Sequence, residues 1–380
     1  MHLFFNFYLA CMALAAANLL LAALLLFTLQ KARNRKANVV LALLLLVLAA
    51  TFLSDVLLYN QVFRCYPHLL DYESLLILLH GPLLYGYILY QTRPQFHLRP
   101  AHLLHLLPLV AYVILLWAFF SADAALKLAY THTHNWEAIP HYTLANYLSK
   151  IQIFLYGVAC YRLLVQHNRV IRELVSSLEH RRLQWLRNLL VGAAVLFLVW
   201  VLTNALGLSD ELMGAVFLGF SYWIAYHALS QEYLFENVST QQVAAIMEEA
   251  PEVRYRNSTL TPEDLQSRMT QVEQYMREAK PYLDSDLTLT TLAEALELNP
   301  YHLSQVLNEG FKENFYKFIN RHRIEESKLL LLNPAFSHYS ILAIANEAGF
   351  SSKSTFNKSF KEYTGFAPSA FIKQNGRAKA

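Results

Sequence analysis

The chain has 380 residues, of which 55% are hydrophobic and 16% charged, and its formal net charge is +3. That is too apolar for two ordinary soluble domains. Its three cysteines, Cys11, Cys65 and Cys160, exclude a disulfide framework and leave room for a Cys11 to Cys65 bridge at most.

The apolar excess sits upstream of residue 230. Long apolar runs occupy about 4–29, 39–59, 75–90, 101–120, 145–165, 188–206 and 213–229, each reaching or approaching the ~20 residues that cross a bilayer. They predict a seven-helix transmembrane bundle over 1–230, with the third run, broken by Pro82, and the seventh as the shortest spans. A signal peptide is the alternative for residues 1–29, but the run exceeds a usual apolar core and lacks a basic start, so a retained span is expected. Loop charge alternates with the spans. Loops on one side carry twelve cations, from Lys31 and Arg33 through Arg93 to Arg187, and those on the other carry three, Arg64, Lys127 and Lys150. The positive-inside bias then puts the N-terminus outside and the C-terminus in the cytoplasm.

Polar residues are sparse within these spans. Asp55, His80 and Asn204 all fall toward the outer ends of theirs, which makes them a candidate ligand pocket for a small molecule or envelope signal. The plainer readings are an Asp55–His80 pair relieving burial, or a hydrated Asp55 at the interface. In the outer loop, His132, His134 and His141 match no standard metal-site spacing, and an interfacial loop anchored by Trp136 and Tyr142 is the stronger reading. No phosphate-binding loop, dinucleotide fingerprint, nucleophile elbow or His-Glu-x-x-His site occurs, so neither an enzyme nor a cofactor is expected.

Residues 231–261 turn polar and acidic, reading as a linker. Thr261 and Pro262 then open a helix and the C-terminal domain, 262–380. Leu265, Met269, Val272 and Met276 form a narrow stripe on that helix, suited to docking on the rest of the domain or, as the second option, to a homodimer. A first helix-turn-helix is expected at about 287–309. Asn299 caps its second helix and Pro300 needs no amide partner there. Leu303 and Leu307 point inward with Leu292 and Leu296, leaving Tyr301, Ser304, Gln305 and Asn308 as an exposed stripe. A linker helix follows at about 315–332, roughly 27 Å long at ~1.5 Å per residue. Such a length places two recognition helices nearly one ~34 Å turn of B-DNA apart. Along it, Arg321, Arg323 and Lys328 read as a solvated face for all but one of the three.

The second helix-turn-helix is expected at about 340–364. Ile344, Ala345 and Ala348 share one face, Gly349 makes a left-handed turn, and Ser351 caps a helix whose Phe356 and Phe360 point inward. Lys353, Ser354, Asn357, Lys358 and Lys361 are left outward. From Pro262 onward, fourteen basic residues balance fourteen acidic ones, so phosphate contact must come from charge distribution. Six of those cations lie from Lys353 on, against Glu362 alone, which makes the second motif the electrostatic anchor.

From about Leu287 to Ile372 the chain resembles the AraC family of bacterial transcription regulators, carried above all by the string from Ile344 to Phe371 and by Arg323 and Ile324 in the linker helix. It departs from the family pattern at Lys358, where Arg is usual, at Gln305, likewise, and at Ala367, where a small hydroxyl residue is usual. The resemblance implies an all-α C-terminal unit with two helix-turn-helix motifs that bind double-stranded DNA. The whole chain therefore reads as a one-component regulator held in the lipid bilayer; the alternative is a membrane enzyme or transporter with a fused DNA-binding output.

Overall fold

The computed structural model of the chain describes residues 6–28, 35–93, 96–133, 139–176, 184–206, 210–230 and 260–375. Among these the architecture is helical, with one isolated antiparallel bridge between Val175 and Thr288 and no strand. The chain divides into two compact units. One comprises Met1–Val165 with Leu183–Tyr233, the other Gln166–Arg182 with Leu234–Ala380.

In the first unit the helices are α1 (Phe7–Thr28), α2 (Arg35–Tyr59), α3 (Tyr72–Thr92), α4 (Leu107–Leu115), α5 (Trp117–Phe120), α6 (Ala124–Thr133), α7 (Tyr142–Leu174), α8 (Gln184–Leu206) and α9 (Asp210–Leu229). α1 packs against α2 and α9, and α2 against α3. Small side chains make the approach close: Ala15, Ala16, Ala22 and Ala23 of α1 and Ala37, Ala42 and Ala49 of α2 are all buried. Large apolar side chains point the other way, Leu21 and Leu24 on α1 and Phe154 on α7 among them. The helices are thus apolar on their buried faces and on much of their exposed faces alike.

Five helices among the described residues are long and apolar enough to cross a membrane: Phe7–Thr28, Arg35–Tyr59, Pro67–Thr92, Tyr142–Leu174 and Leu212–Leu229. The seven expected runs are thus met in part, by five helices among the described residues. The third and seventh runs, expected to be shortest, qualify; the fourth falls on the shorter apolar helix Pro100–Leu115, and the sixth lies on α8, a helix of 23 residues. Proline explains the fourth. Pro100 opens a 3₁₀ segment, Pro108 sits in the first turn of α4, and the chain breaks again at Leu116 before α5. Pro82, by contrast, lies inside a continuous α3.

α7 also departs from expectation. Instead of ending near residue 165 it runs 33 residues, Tyr142–Leu174, and its part from Gln166 onward belongs to the second unit. Hydropathy falls there, but Val170, Ile171 and Leu174 are buried and keep a helical apolar face going. Cys11 is buried, Cys65 exposed, and the two are not joined.

The second unit contains α10 (Pro262–Glu278), α11 (Leu289–Ala295), α12 (Pro300–Gln305), α13 (Phe315–Leu332), α14 (Ile341–Glu347), α15 (Lys353–Thr364) and α16 (Pro368–Gln374). α10 opens on a reciprocal cap between Thr261 and Asp264. It docks on its own unit: Val272 and Met276 are fully buried, and the Gln271 amide donates to the Leu296 carbonyl at 3.1 Å. The polar junction 231–259 lies outside the described residues.

α13 organises the unit. On one flank, Ile324 and Leu331 join Ile344, Ala345, Ala348, Phe350, Phe356 and Phe360 in a single core. Of the three α13 cations weighed above as a solvated face, Arg321 pairs with Glu313 and Glu273, and Lys328 pairs with Glu325, whereas Arg323 is 1% exposed. The Arg323 guanidinium donates to the carbonyls of Tyr282 (2.7 Å), Asp284 (2.7 Å) and Ser176 (3.2 Å) and to the Ser176 hydroxyl (3.0 Å). Burial pulls its pKa down from the usual arginine range to about 10, with Asp284 opposing the drop. It stays charged at neutral pH, and backbone oxygens take the place of a carboxylate partner.

Candidate nucleic-acid interface

The second motif is built as its residue pattern dictates. α14 ends at Glu347, and Gly349 takes φ +86°, a left-handed conformation that glycine adopts without strain. A side chain there would run into the Tyr282 carbonyl oxygen and approach Leu283 to 2.9 Å. The turn thus fits only because the residue has no Cβ. α15 starts at Lys353, and its cap is Ser352, not Ser351: the Ser352 hydroxyl accepts from the Thr355 amide at 3.2 Å. Phe356 and Phe360 are fully buried and stack edge-to-face with each other and with Phe350 and Phe371. Pro368 opens α16.

With that face held inward, Lys353, Ser354, Asn357, Lys358 and Lys361 are all exposed on α15. Three cations, an amide and a hydroxyl on one short helix form a surface able to neutralise phosphate and to hydrogen-bond base edges.

The first motif differs from expectation. Asn299 caps α12, its side-chain oxygen accepting from the Tyr301 amide at 2.8 Å, and Leu292, Leu296, Leu303 and Leu307 are buried. The stripe of Tyr301, Ser304, Gln305 and Asn308 is not exposed. Ser304 and Gln305 are each 5% exposed, while Tyr301 and Asn308 are half-buried. Their side chains fold back along their own helix. The Gln305 amide donates to the Glu309 carboxylate at 2.7 Å, and the Asn308 amide reaches the Ser304 carbonyl at 3.0 Å. Immediately after Gln305 the helix widens into a π turn over Val306–Gly310, so the spacing that defined the stripe does not hold through it. Of the two motifs, the second is the one whose expected polar stripe is exposed in this conformation.

Of the three residues expected to line a ligand pocket in the first unit, two have described side chains. Asp55 accepts from the Tyr8 hydroxyl at 3.0 Å, and His80 meets the Thr51 hydroxyl at 3.3 Å, so the two do not pair. The side chain of Asn204 lies outside the described residues, as do those of His132 and His134. The unit's cavity of 540 Å³ is lined by other residues, Tyr85, His105, Tyr112, Gln152 and Tyr156 among them. The Gln152 amide donates to the Leu78 carbonyl at 2.9 Å, and His105 bonds the Tyr156 hydroxyl at 2.6 Å. Sequence reasoning missed this cavity because its polar groups lie on three separate segments with no spacing in common. No cluster able to hold a metal ion occurs among the described residues.

Residues 292–374 match a helix-turn-helix domain family. The C-terminal part of the chain is also similar to the Msm operon regulatory protein of Streptococcus mutans, 30% identical over 132 residues that make up 35% of this chain and 44% of the relative. It is similar to the regulatory protein PocR of Salmonella typhimurium, 29% identical over 145 residues, 37% of this chain and 45% of the relative. The match therefore spans less than half of either relative. Among solved structures, the C-terminal domain of AraT, a response regulator from Geobacillus stearothermophilus, aligns at 26% identity over 32% of this chain and 95% of that one, with a TM-score of 0.26.

Proposed function

Starting from a C-terminal AraC-type helix-turn-helix domain, whose relatives are transcription regulators, we propose that the chain is a membrane-bound, one-component transcription regulator. The exposed face of α15 carries this reading. Lys353, Lys358 and Lys361 would take phosphates, and Ser354 and Asn357 would reach base edges in the major groove. The five long apolar helices of the first unit support anchorage in a bilayer, and the loop-charge bias supports a cytoplasmic C-terminus. Sensing is assigned to the first unit, and the buried state of Ser304 and Gln305 supports a conformation in which only one of two recognition helices is available for DNA.

Two measurements test this. Full-length protein in detergent should bind duplex DNA with an affinity that falls steeply as salt rises. Reporter fusions placed after residue 230 should be active only with a cytoplasmic reporter. Salt-insensitive or absent DNA binding would remove the regulatory reading, and a periplasmic C-terminus would remove it as well.

A further inference from the structure

Between the end of α7, the linker helix α13 and the recognition helix α15, the second unit encloses a polar cavity of 150 Å³. Arg172, Lys317 and Lys358 line it with Asn320, Ser359 and Glu362, so three cations face one carboxylate across it. One feature sets it apart from a chance gap among surface lysines. The Asn320 side chain is wholly buried, and neither its amide nitrogen nor its amide oxygen has a hydrogen-bond partner. A buried amide with both ends unmet is costly and is the kind of group that a bound ligand satisfies. Ser359, 4% exposed, adds a hydroxyl on the same buried side.

We propose that this cavity binds an oxyanion of the phosphate class. Size allows it, since one water needs only ~10–15 Å³ of such volume. Charge favours it, with three cations against Glu362. The hydrogen-bond pattern narrows the choice further. The Asn320 nitrogen offers a donor while its oxygen and Glu362 require one, and a monohydrogen phosphate supplies both acceptor oxygens and a P–OH donor. Sulfate has no proton to offer at neutral pH. Arg172 stands at the end of α7 and Lys358 on the proposed DNA-contacting face, so an occupant would tie together these two helical segments of the second unit.

The phosphate could be a group of the DNA backbone or a free anion, and the site itself does not depend on the DNA-binding reading. The test is calorimetric titration of inorganic phosphate into the full chain in a maltoside detergent, which carries no phosphate, against chloride and sulfate at matched ionic strength. Saturable phosphate binding is expected, stronger than that of sulfate and weakened about tenfold by Arg172→Gln, which removes a charge-assisted bond. Asn320→Leu should reduce the preference for phosphate over sulfate, Glu362 keeping part of it, while leaving the unliganded protein at least as stable as before, because it removes two unmet polar atoms. Repeating the titration with duplex DNA present separates the sources. Loss of phosphate binding on DNA addition assigns the site to the backbone, and unchanged binding assigns it to a free anion. No saturable binding beyond chloride, or binding indifferent to both substitutions, overturns the proposal.

Discussion

Gly349 and Gly365 allow a controlled test of how the second motif is held. Both adopt left-handed backbone, with φ of +86° and +78°, so replacing either by alanine carries the same intrinsic penalty of about 1 kcal/mol. Their surroundings differ. A Cβ at Gly365 meets nothing within 4 Å, whereas one at Gly349 meets the Tyr282 carbonyl oxygen and lies 2.9 Å from the Leu283 backbone. Backbone cannot rotate aside as a side-chain tip can, and forcing it apart adds roughly 1–3 kcal/mol. Gly349→Ala should therefore cost about 2–4 kcal/mol and Gly365→Ala about 1 kcal/mol. Pulse proteolysis of the full chain across a urea series, following cleavage within residues 260–375, reads both from the shift in midpoint. Equal losses in the two variants, or a loss at Gly349 no greater than about 1 kcal/mol, would refute the packing of the turn on the 281–283 segment.

Three further outcomes are expected. Lys358→Ala should weaken DNA binding across all sequences alike and lower the salt-dependence slope by about one unit, as read by fluorescence anisotropy; a change confined to one operator position would instead make it a base reader. His322, stacked on Tyr282 and against Phe318, has its pKa lowered to about 4, chiefly by burial and then by Arg321. Because the unfolded chain takes up this proton near pH 6.5 and the folded one does not, stability should decline as pH falls from 6.5 toward 4, by on the order of 2 kcal/mol, and His322→Phe should flatten that segment of the urea-midpoint profile. Arg323→Leu leaves three carbonyls and a hydroxyl short of their donor and should cost about 3–5 kcal/mol, measured by the same proteolysis; a loss below about 1 kcal/mol would show that water replaces the guanidinium.

The features legible in the sequence are those whose cause is local. The Asn299 cap before Pro300, the left-handed Gly349 and the inward Phe356 and Phe360 each follow from one residue's chemistry or a four-residue spacing, and each is present. The outward placing of Ser304 and Gln305 is not what the structure shows, since spacing assigns a face only while helix geometry stays regular, and here a π turn follows within the same run. At the fourth run hydropathy is blind to Pro108 restarting the helix. At α7 the opposite holds, since helix-forming residues carry on where hydropathy fades. Burial of Arg323 had no sequence signal at all: its acceptors lie 39 to 147 residues away and are mostly backbone carbonyls, which every residue possesses.

The contribution of Ser176 to Arg323 bears on how portable the C-terminal unit is. Its fold is discontinuous in the chain, with residues 166–176 arriving from before α8 and α9 and the rest from after them. Ser176 accepts from the guanidinium through both its carbonyl and its hydroxyl, and its own hydroxyl and amide donate to the Leu287 carbonyl at 2.7 and 3.2 Å. A gene fragment cut at residue 231 encodes every helix of both helix-turn-helix motifs and still omits this piece. Such a fragment would carry a half-coordinated buried cation at the centre of its linker helix, and a chimera that grafts 231–380 onto another membrane protein would inherit the same gap. The smallest transferable unit is then not the one that domain boundaries suggest but one that begins within α7 and takes the two following helices with it.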